Sequence, residues 1–208
     1  MRGPIPVELG LAAAEREDWT QAAIYFEQNK NCIELNRPNV RDGTNALAAF
    51  RALNAYLSAR DMANTLRIAD EALAWHPGYV AGLAPGADKS DQFNMLIFFY
   101  GARALALMDA RPAQAEASLN QARSLLMSNP SERPESALMV LAMLGTLIED
   151  DYNRYVPVQR DLVQRLRQFG PEYRAQLRQE LLNYARVSRA HGDSAAATTM
   201  ESEARGLR

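Results

Sequence analysis

The chain has 208 residues, and its 23 basic and 25 acidic side chains give a formal net charge of −2. That near balance excludes bulk electrostatic attraction to nucleic acid or to anionic lipid as the basis of function. The single cysteine, Cys32, excludes an internal disulfide and leaves the redox compartment open.

The start of the chain and its most apolar stretch bear on location. No secretory hydrophobic segment begins the chain, and two prolines interrupt its start. The most apolar stretch, Phe93 to Met108, contains Asn94 and Arg103, so it falls short of the roughly 18 uninterrupted apolar residues of a membrane span. We therefore expect no membrane span and favour the cytoplasm, or the periplasm if the sequence is a trimmed piece. Many alanines and only two lysines suggest a bacterial source.

Charge is distributed unevenly along the chain. Residues 151–208 carry ten Arg against seven Asp or Glu, whereas residues 1–150 carry thirteen basic and eighteen acidic residues. We favour solvated, salt-bridged helix surfaces as the explanation, because basic and acidic residues are interleaved. The alternative is a bipolar surface that orients a partner or lets copies of the chain associate.

The pattern on which the rest of the chain is built begins near Leu9. A short run of good helix formers is followed by an acidic break, Glu15 to Asp18, and a second helix opens at Trp19. We expect the Asp18 carboxylate to cap that second helix. Residues at helical spacing then share one face: Ala22, Ala23, Phe26 and Cys32.

Prolines, glycines and acidic turns divide the remaining sequence in the same way. We predict five helical hairpins, at about residues 5–36, 44–77, 90–129, 134–169 and 171–206. A proline is predicted to end the second hairpin at Pro77, and residues 78–88 are predicted to be a long loop that packs on its own hairpin or covers a groove. Ser90 or Asp91 is the expected cap of the third hairpin.

Two helices of this series have a distinctive composition. The first helix of the third hairpin is apolar nearly all round between Phe93 and Tyr100, which places it at the centre of the array. The last helix is weakly apolar and suits a terminal capping element with a soluble outer face.

The hairpin turns recur at nearly regular intervals. They are centred at Asp18, Asp61, Arg111, Asp151 and Asp193, with separations of 43, 50, 40 and 42 residues. Such regularity favours a helical repeat array over an irregular bundle.

The first hairpin resembles the tetratricopeptide repeat family. The residues that carry the resemblance are Leu9-Gly10, Glu17-Asp18-Trp19, Ala22 and Phe26. The end of the second hairpin, Ala72 to Pro77, is also similar to the close of such a repeat. The turn spacing exceeds the family's usual period of about 34 residues, which implies a divergent, long-helix version. The resemblance implies an all-α fold, a right-handed α-solenoid of about five antiparallel hairpins forming a single domain over residues 1–208.

The resemblance also implies a concave groove, lined by the first helix of each hairpin, that holds a peptide or a helix of another protein. Carried over by position, the protein-binding groove comprises Val7, Leu11, Phe50, Asn54, Leu57, Ile97, Tyr100, Ala104, Leu107, Val140, Leu144, Leu147, Leu182, Arg186 and Arg189. The groove would be apolar over most of its length and basic at its C-terminal end, where an acidic group of the partner would bind. The alternative for each residue is that it packs the array.

Arg51 and Asn54 only partly match the family's clamp for a terminal carboxylate, because Ile97 and Gly101 stand where further basic residues are needed.

Catalytic and metal-binding patterns are weak. His76 and His191 both stand at predicted helix ends, where interaction with free carbonyls is the ordinary role of histidine. The acidic run Glu149 to Asp151 is explained by a solvated turn with a helix cap. No paired titratable groups, no metal-ligand spacing and no phosphate-binding loop are found, so we expect no enzyme activity, no metal and no cofactor.

The sequence therefore predicts a non-enzymatic protein–protein interaction module, an adaptor, assembly factor or secretion-type chaperone. Its expected partner is another protein or a peptide segment, without nucleic acid. Two alternatives stay open: a ligand-sensing helical domain of a larger regulator, and a self-assembling scaffold that forms homo-oligomers through its acidic and basic halves.

Overall fold

The computed structural model describes residues 5–85, 87–128 and 134–207, which fold into α-helices joined by short turns, without a β-strand. A 3-10 turn, Pro171–Tyr173, precedes the tenth helix. The helices are α1 (Pro6–Glu15), α2 (Trp19–Asn36), α3 (Gly43–Ser58), α4 (Met62–Leu73), α5 (His76–Gly82), α6 (Ser90–Leu107), α7 (Pro112–Ser128), α8 (Pro134–Leu147), α9 (Tyr152–Gln168), α10 (Arg174–Ala190) and α11 (Ser194–Gly206). The prediction of an all-α protein is confirmed. Within the described ranges, no helix combines the length and the apolar character needed to cross a membrane.

The chain divides into two compact units, Met1–Ser131 and Glu132–Arg208. In the described part of the first unit, each helix from α1 to α6 packs on the next one, which ends the series at α7, and α6 also packs on α3 and α4. In the second unit, α8 packs on α9, α9 on α10 and α10 on α11. Neighbour-on-neighbour packing is what hairpins require. A single right-handed solenoid over the whole chain stays a prediction.

Five of the described helices follow an aspartate whose side chain caps the first turn. At α3, Asp42 accepts from the backbone N–H groups of Thr44 and Asn45. The carboxylate of Asp18 accepts a hydrogen bond from the Gln21 backbone N–H at 3.1 Å, as the sequence predicts. The same bond, from the N–H group three residues ahead, recurs at Asp61, Asp151 and Asp193. Each cap satisfies a donor that the helix itself leaves unpaired.

Three of the capped turns share a second feature, a residue with left-handed backbone conformation directly before the aspartate. Glu17 has φ 59°, Arg60 has φ 58° and Gly192 has φ 84°. In the first turn the Asp18 N–H donates to the Ala13 carbonyl at 3.0 Å. This hydrogen-bonding pattern ends one helix within a few residues of the next helix start.

The core of the first unit is built mainly from alanine. Ala13, Ala22, Ala52 and Ala69 are among its fully buried members, with larger residues such as Leu53, Ile68 and Phe99 between them. Small side chains allow helix axes to approach closely, and the aromatic rings fill the remaining space. Within the first unit the apolar helix α6 contacts α3, α4, α5 and α7; its position at the centre of a single array stays a prediction.

Ion pairs join α2 to α4 and α4 to α6 in the first unit. Glu27 on α2 accepts from Arg67 on α4 at 2.7 Å and also accepts from the hydroxyl of Tyr56 on α3. Burial, followed by this hydrogen bond to Glu27, raises the pKa of Tyr56 to about 12. Asp70 on α4 accepts from Arg103 on α6 at 2.6 Å.

The predicted loop 78–88 is wrong in its first half. Helix α4 ends at Leu73, and a new helix, α5, runs from His76 to Gly82. Pro77 therefore starts a helix instead of only ending one, because proline in a first turn removes an N–H group that has no partner there. Helix α5 packs on α4 and α6, which agrees with packing on its own hairpins rather than a flap.

The predicted cap of α6 is also wrong, because Lys89 occupies the N-cap position and its side chain makes no capping hydrogen bond. Ser90 is the first residue of the helix, and the carboxylate of Asp88 accepts from the Ser90 backbone N–H at 2.9 Å. Both Asp88 and Ser90 are good capping residues, so composition alone does not separate them.

His76 anchors α5. Its ring is fully buried, lies edge-on to Phe99 with ring centroids 5.4 Å apart, and its Nε2 lies 3.0 Å from the Gln92 side-chain oxygen. The Nδ1 atom has no hydrogen-bond partner among the described residues. Burial lowers the pKa of His76 against the opposing effect of the bond to Gln92, so the ring is neutral at pH 7.

We predict that Gly10→Ala destabilises the protein by about 1–3 kcal/mol, because overpacking a core has costs of that order. A Cβ atom at Gly10 would lie 2.5 Å from a ring carbon of Phe26, which is only 5% exposed. Urea unfolding measures the change in the free energy of unfolding. Gly78→Ala is the control: its Cβ meets nothing within 4 Å, so it is expected to be neutral or stabilising by up to about 1 kcal/mol. Equal changes in the free energy of unfolding for the two variants would contradict the close approach of α1 to α2 at Gly10.

We predict that Glu17→Gly and Arg60→Gly each stabilise the protein by roughly 1 kcal/mol, because glycine adopts left-handed backbone conformation without the steric cost of a Cβ atom. Gly192→Ala, at the equivalent turn, is expected to destabilise by a similar amount. Thermal unfolding of the three variants gives the comparison. Destabilisation by both glycine substitutions would show that their side chains matter more than backbone strain.

We predict that the stability of the first unit falls as pH is lowered from 7 to 5, partly through His76. The unfolded chain binds a proton near pH 6.5, whereas the folded chain resists it, so stability is present above that pH and is lost below it. His76→Phe, which cannot titrate, is expected to flatten the dependence of unfolding free energy on pH across this window. An unchanged slope would mean that His76 is readily protonated in the folded protein.

Candidate functional site

The predicted groove residues fall into three classes of exposure. Ile97, Ala104, Leu107, Val140 and Leu144 are buried; Val7, Phe50, Leu57, Tyr100 and Leu147 are half-buried; Leu11, Asn54, Leu182, Arg186 and Arg189 are exposed. The buried five present no surface to a partner in this conformation. Any binding surface must therefore come from the half-buried and exposed residues.

Helix α3 carries the most continuous partly exposed apolar stripe of the first unit. Leu47, Phe50, Asn54 and Leu57 follow one another at spacings of three or four residues, so they share one face of the helix. Leu47 is 41% exposed, and Phe50 and Leu57 pack on the core from its edge. Leu47 was not among the predicted groove residues, although its spacing from Phe50 could have identified it.

Helix α6 continues this stripe through a different residue from the one predicted. The ring of Phe98 lies 4.8 Å from the ring of Phe50, centroid to centroid, and Met95 packs on the same core edge. Tyr100 lies about 200° around the helix from Phe98, on the opposite side. Because α6 is apolar nearly all round, periodicity could not identify which face stays accessible.

We define the α3–α6 surface as Leu47, Phe50, Leu57, Met95 and Phe98, together with the polar Arg51 and Asn54 of the same α3 stripe. Its central ring pair is half-buried, which is the state of an aromatic side chain with one face packed and the other accessible. Arg51 has no ion-pair partner among the described residues. The surface thus combines an apolar centre with one uncompensated positive charge.

Helix α1 has a shorter stripe of the same kind. Val7, Leu11 and Ala14 are spaced along one face, and Leu11 is 47% exposed while Val7 and Ala14 pack on the core. The stripe resembles that of α3 in composition but contains no aromatic ring.

In the second unit, the predicted basic end of the groove is neutralised within the unit itself. Arg186 donates to Glu149 at 2.6 Å and Arg189 donates to Glu201 at 2.5 Å. Salt bridges at exposed positions are weak, about 0–1 kcal/mol, but each occupies the guanidinium that the prediction assigned to a partner. Leu182 is 37% exposed beside them.

His191 and Asp151 both have structural partners within the second unit. The ring of His191 stacks on Tyr152 with centroids 5.2 Å apart, and its Nε2 lies 3.0 Å from the Glu149 carbonyl oxygen. Asp151 caps α9, as predicted. Among residues 5–85, 87–128 and 134–207, no three His, Cys, Asp or Glu side chains are grouped as a metal site would need.

Comparison with known proteins adds no relative. No protein-family model, no characterised protein and no solved structure gives a significant match to this chain. The resemblance to tetratricopeptide repeats therefore depends on the chain's own residues and stays a prediction.

Proposed function

We propose that the protein is a non-enzymatic interaction module that binds an amphipathic helix or peptide of another protein on the α3–α6 surface. The observation that supports this most is the Phe50–Phe98 ring pair, accessible at the edge of the core and flanked by Leu47 and Met95. Contiguous exposed apolar groups on a folded protein mark interaction sites, and aromatic residues dominate binding energy at such sites.

The positive charge of Arg51 restricts which partners the α3–α6 surface can bind. Arg51 lies one helical turn from both Leu47 and Asn54 and is without an ion-pair partner in the described chain. A bound helix would place apolar side chains on the two rings and an acidic side chain on Arg51. This position for the acidic contact replaces Arg186 and Arg189, whose charges are already paired.

The self-assembling scaffold is less well supported, because several arginines of the basic half pair with acidic residues of the same unit. Arg165 with Asp161 and Arg167 with Glu203 are further examples. Such pairing leaves less free charge for association between copies.

The experiment is selection of binders from a peptide library displayed on phage, followed by measurement of affinity for variants of the protein. We predict selection of amphipathic helical peptides that carry an acidic residue. Leu47→Glu and Arg51→Glu are each expected to weaken binding by about tenfold or more, since losing an apolar contact or a charged hydrogen bond costs about 1.5 kcal/mol or more.

Leu35→Glu is the matched control, because Leu35 is 80% exposed on α2 and lies outside the proposed surface. Its affinity is expected to equal that of the unchanged protein, and thermal unfolding verifies that all three variants fold. Peptides that bind Leu47→Glu and Arg51→Glu as tightly as the unchanged protein would refute the proposed surface.

A further inference from the structure

A cavity in the first unit lies apart from the α3–α6 surface. It has a volume of about 500 Å³, within the size range of small-molecule sites. Helices α2, α3 and α4, the turn before α3 and the turn between α4 and α5 line it, and the residues that matter for binding are Lys30, Glu34, Arg41, Asn45, Glu71 and Trp75.

Asn45 supplies an unused hydrogen-bond donor in the wall of this cavity. The residue is 2% exposed, and its side-chain oxygen accepts from the Asp42 backbone N–H at 3.3 Å. That bond fixes the orientation of the amide, because the oxygen and not the nitrogen must face the Asp42 N–H. The Nδ2 atom is then left without a hydrogen-bond partner among the described residues. A buried donor of this kind needs an acceptor.

Two positively charged side chains also line the cavity, and they differ in whether an acidic side chain pairs with them. Lys30, with a side chain 8% exposed, donates to Glu71 at 2.9 Å and to Glu34 at 3.4 Å. Burial opposes ionisation of Glu71, but hydrogen bonds from Lys30 and Arg67 outweigh it, so the pKa of Glu71 lies below its usual value. The charge of Lys30 is therefore compensated. Arg41, in contrast, is exposed and has no ion-pair partner in the described chain.

We propose that this cavity binds a small carboxylate whose apolar or aromatic part lies against Trp75. The carboxylate would accept from Asn45 Nδ2, which has no partner among the described residues, and from the Arg41 guanidinium, whose Nη1 makes only a long hydrogen bond of 3.4 Å to the Val40 carbonyl oxygen. The neighbouring carboxylates of Glu34 and Glu71 disfavour a ligand with more than one negative charge, such as a phosphate. Alanines at positions 49, 72 and 74 leave room beside the indole.

The site is independent of the proposed peptide surface, since none of its lining residues belongs to that surface. Binding of a small ligand in this cavity would agree with the ligand-sensing domain, one of the two alternatives left open by the sequence. A bound carboxylate would join α3 to the turn before it and to the turn between α4 and α5, so occupancy is expected to raise the melting temperature.

Tryptophan fluorescence tests the proposal. Trp19→Phe leaves Trp75 as the single tryptophan of the chain, and this protein is titrated with phenylacetate. We expect saturable binding with a dissociation constant of about 1 mM or tighter. Phenylacetamide, the neutral isostere, is expected to bind at least about tenfold more weakly, because it lacks the charge that Arg41 recognises.

Two variants and a control locate the binding. Arg41→Ala and Asn45→Asp are each expected to weaken phenylacetate binding by about tenfold or more; the second keeps the acceptor for Asp42 but replaces the donor with a carboxylate. Arg111→Ala removes an exposed arginine that does not line the cavity and is expected to leave affinity unchanged. Since Arg41 is exposed, its variant tests the proposal even if Asn45→Asp does not fold.

An N-acetylated tripeptide ending in phenylalanine distinguishes a free acid from the end of a protein chain, since both carry the same carboxylate. Tighter binding of the tripeptide than of phenylacetate would identify a chain terminus as the source, and weaker binding a free small acid. The proposal would be overturned by any of three results. These are no saturable fluorescence change with either probe, binding of phenylacetamide as tight as that of phenylacetate, or equal losses of phenylacetate affinity in Arg41→Ala and Arg111→Ala. An ordered water satisfying Asn45 would give the first of these results.

Discussion

The hydrogen bond from an aspartate carboxylate to the backbone N–H three residues ahead is the interaction on which the described fold depends most. It occurs at Asp18, Asp61, Asp151 and Asp193 at the start of the second helix of a pair, and at Asp42 it caps α3, the first helix of its pair. In three of these turns the preceding residue has left-handed backbone conformation, so the first helix ends and the second begins within a few residues. Short turns of this kind leave consecutive helices no alternative to packing on each other, and that packing is what both units consist of.

Close packing then decides which apolar residues remain accessible. Alanine and glycine at the helix contacts allow the helices to approach closely, so the larger side chains between them are fully buried. Side chains at the edge of the contact keep one face free, as Phe50 and Phe98 do. The proposed peptide surface is thus a consequence of the alanine-rich core, and polar residues beside it, Arg51 above all, determine which partner is compatible.

Local sequence signals predicted the helical class and the hairpin turns, whereas the accessibility of individual side chains was harder to predict. The Asp18 cap, the turn positions and the helical class followed from local rules that need no tertiary information. The helix at Pro77 and the hydrogen bond from the Ser90 N–H to Asp88 were missed because proline and aspartate are compatible with more than one position around a helix start. On α6, a helix that is apolar all round gave no period from which to choose Phe98 over Ile97 or Tyr100. The cavity beside Asn45 was beyond prediction, since it is formed by three helices and depends on which amide atom is already satisfied.

The central claim is that a partner binds on the accessible face of α3 and α6. Hydrogen–deuterium exchange of the complex with a selected peptide tests it most directly, because protection is measured segment by segment in the unmodified protein. Reduced exchange in residues 43–58 and 90–107, with little change in the described helices of the second unit, is the predicted result. Protection confined to the second unit, or to α2 around Leu35, would contradict the claim.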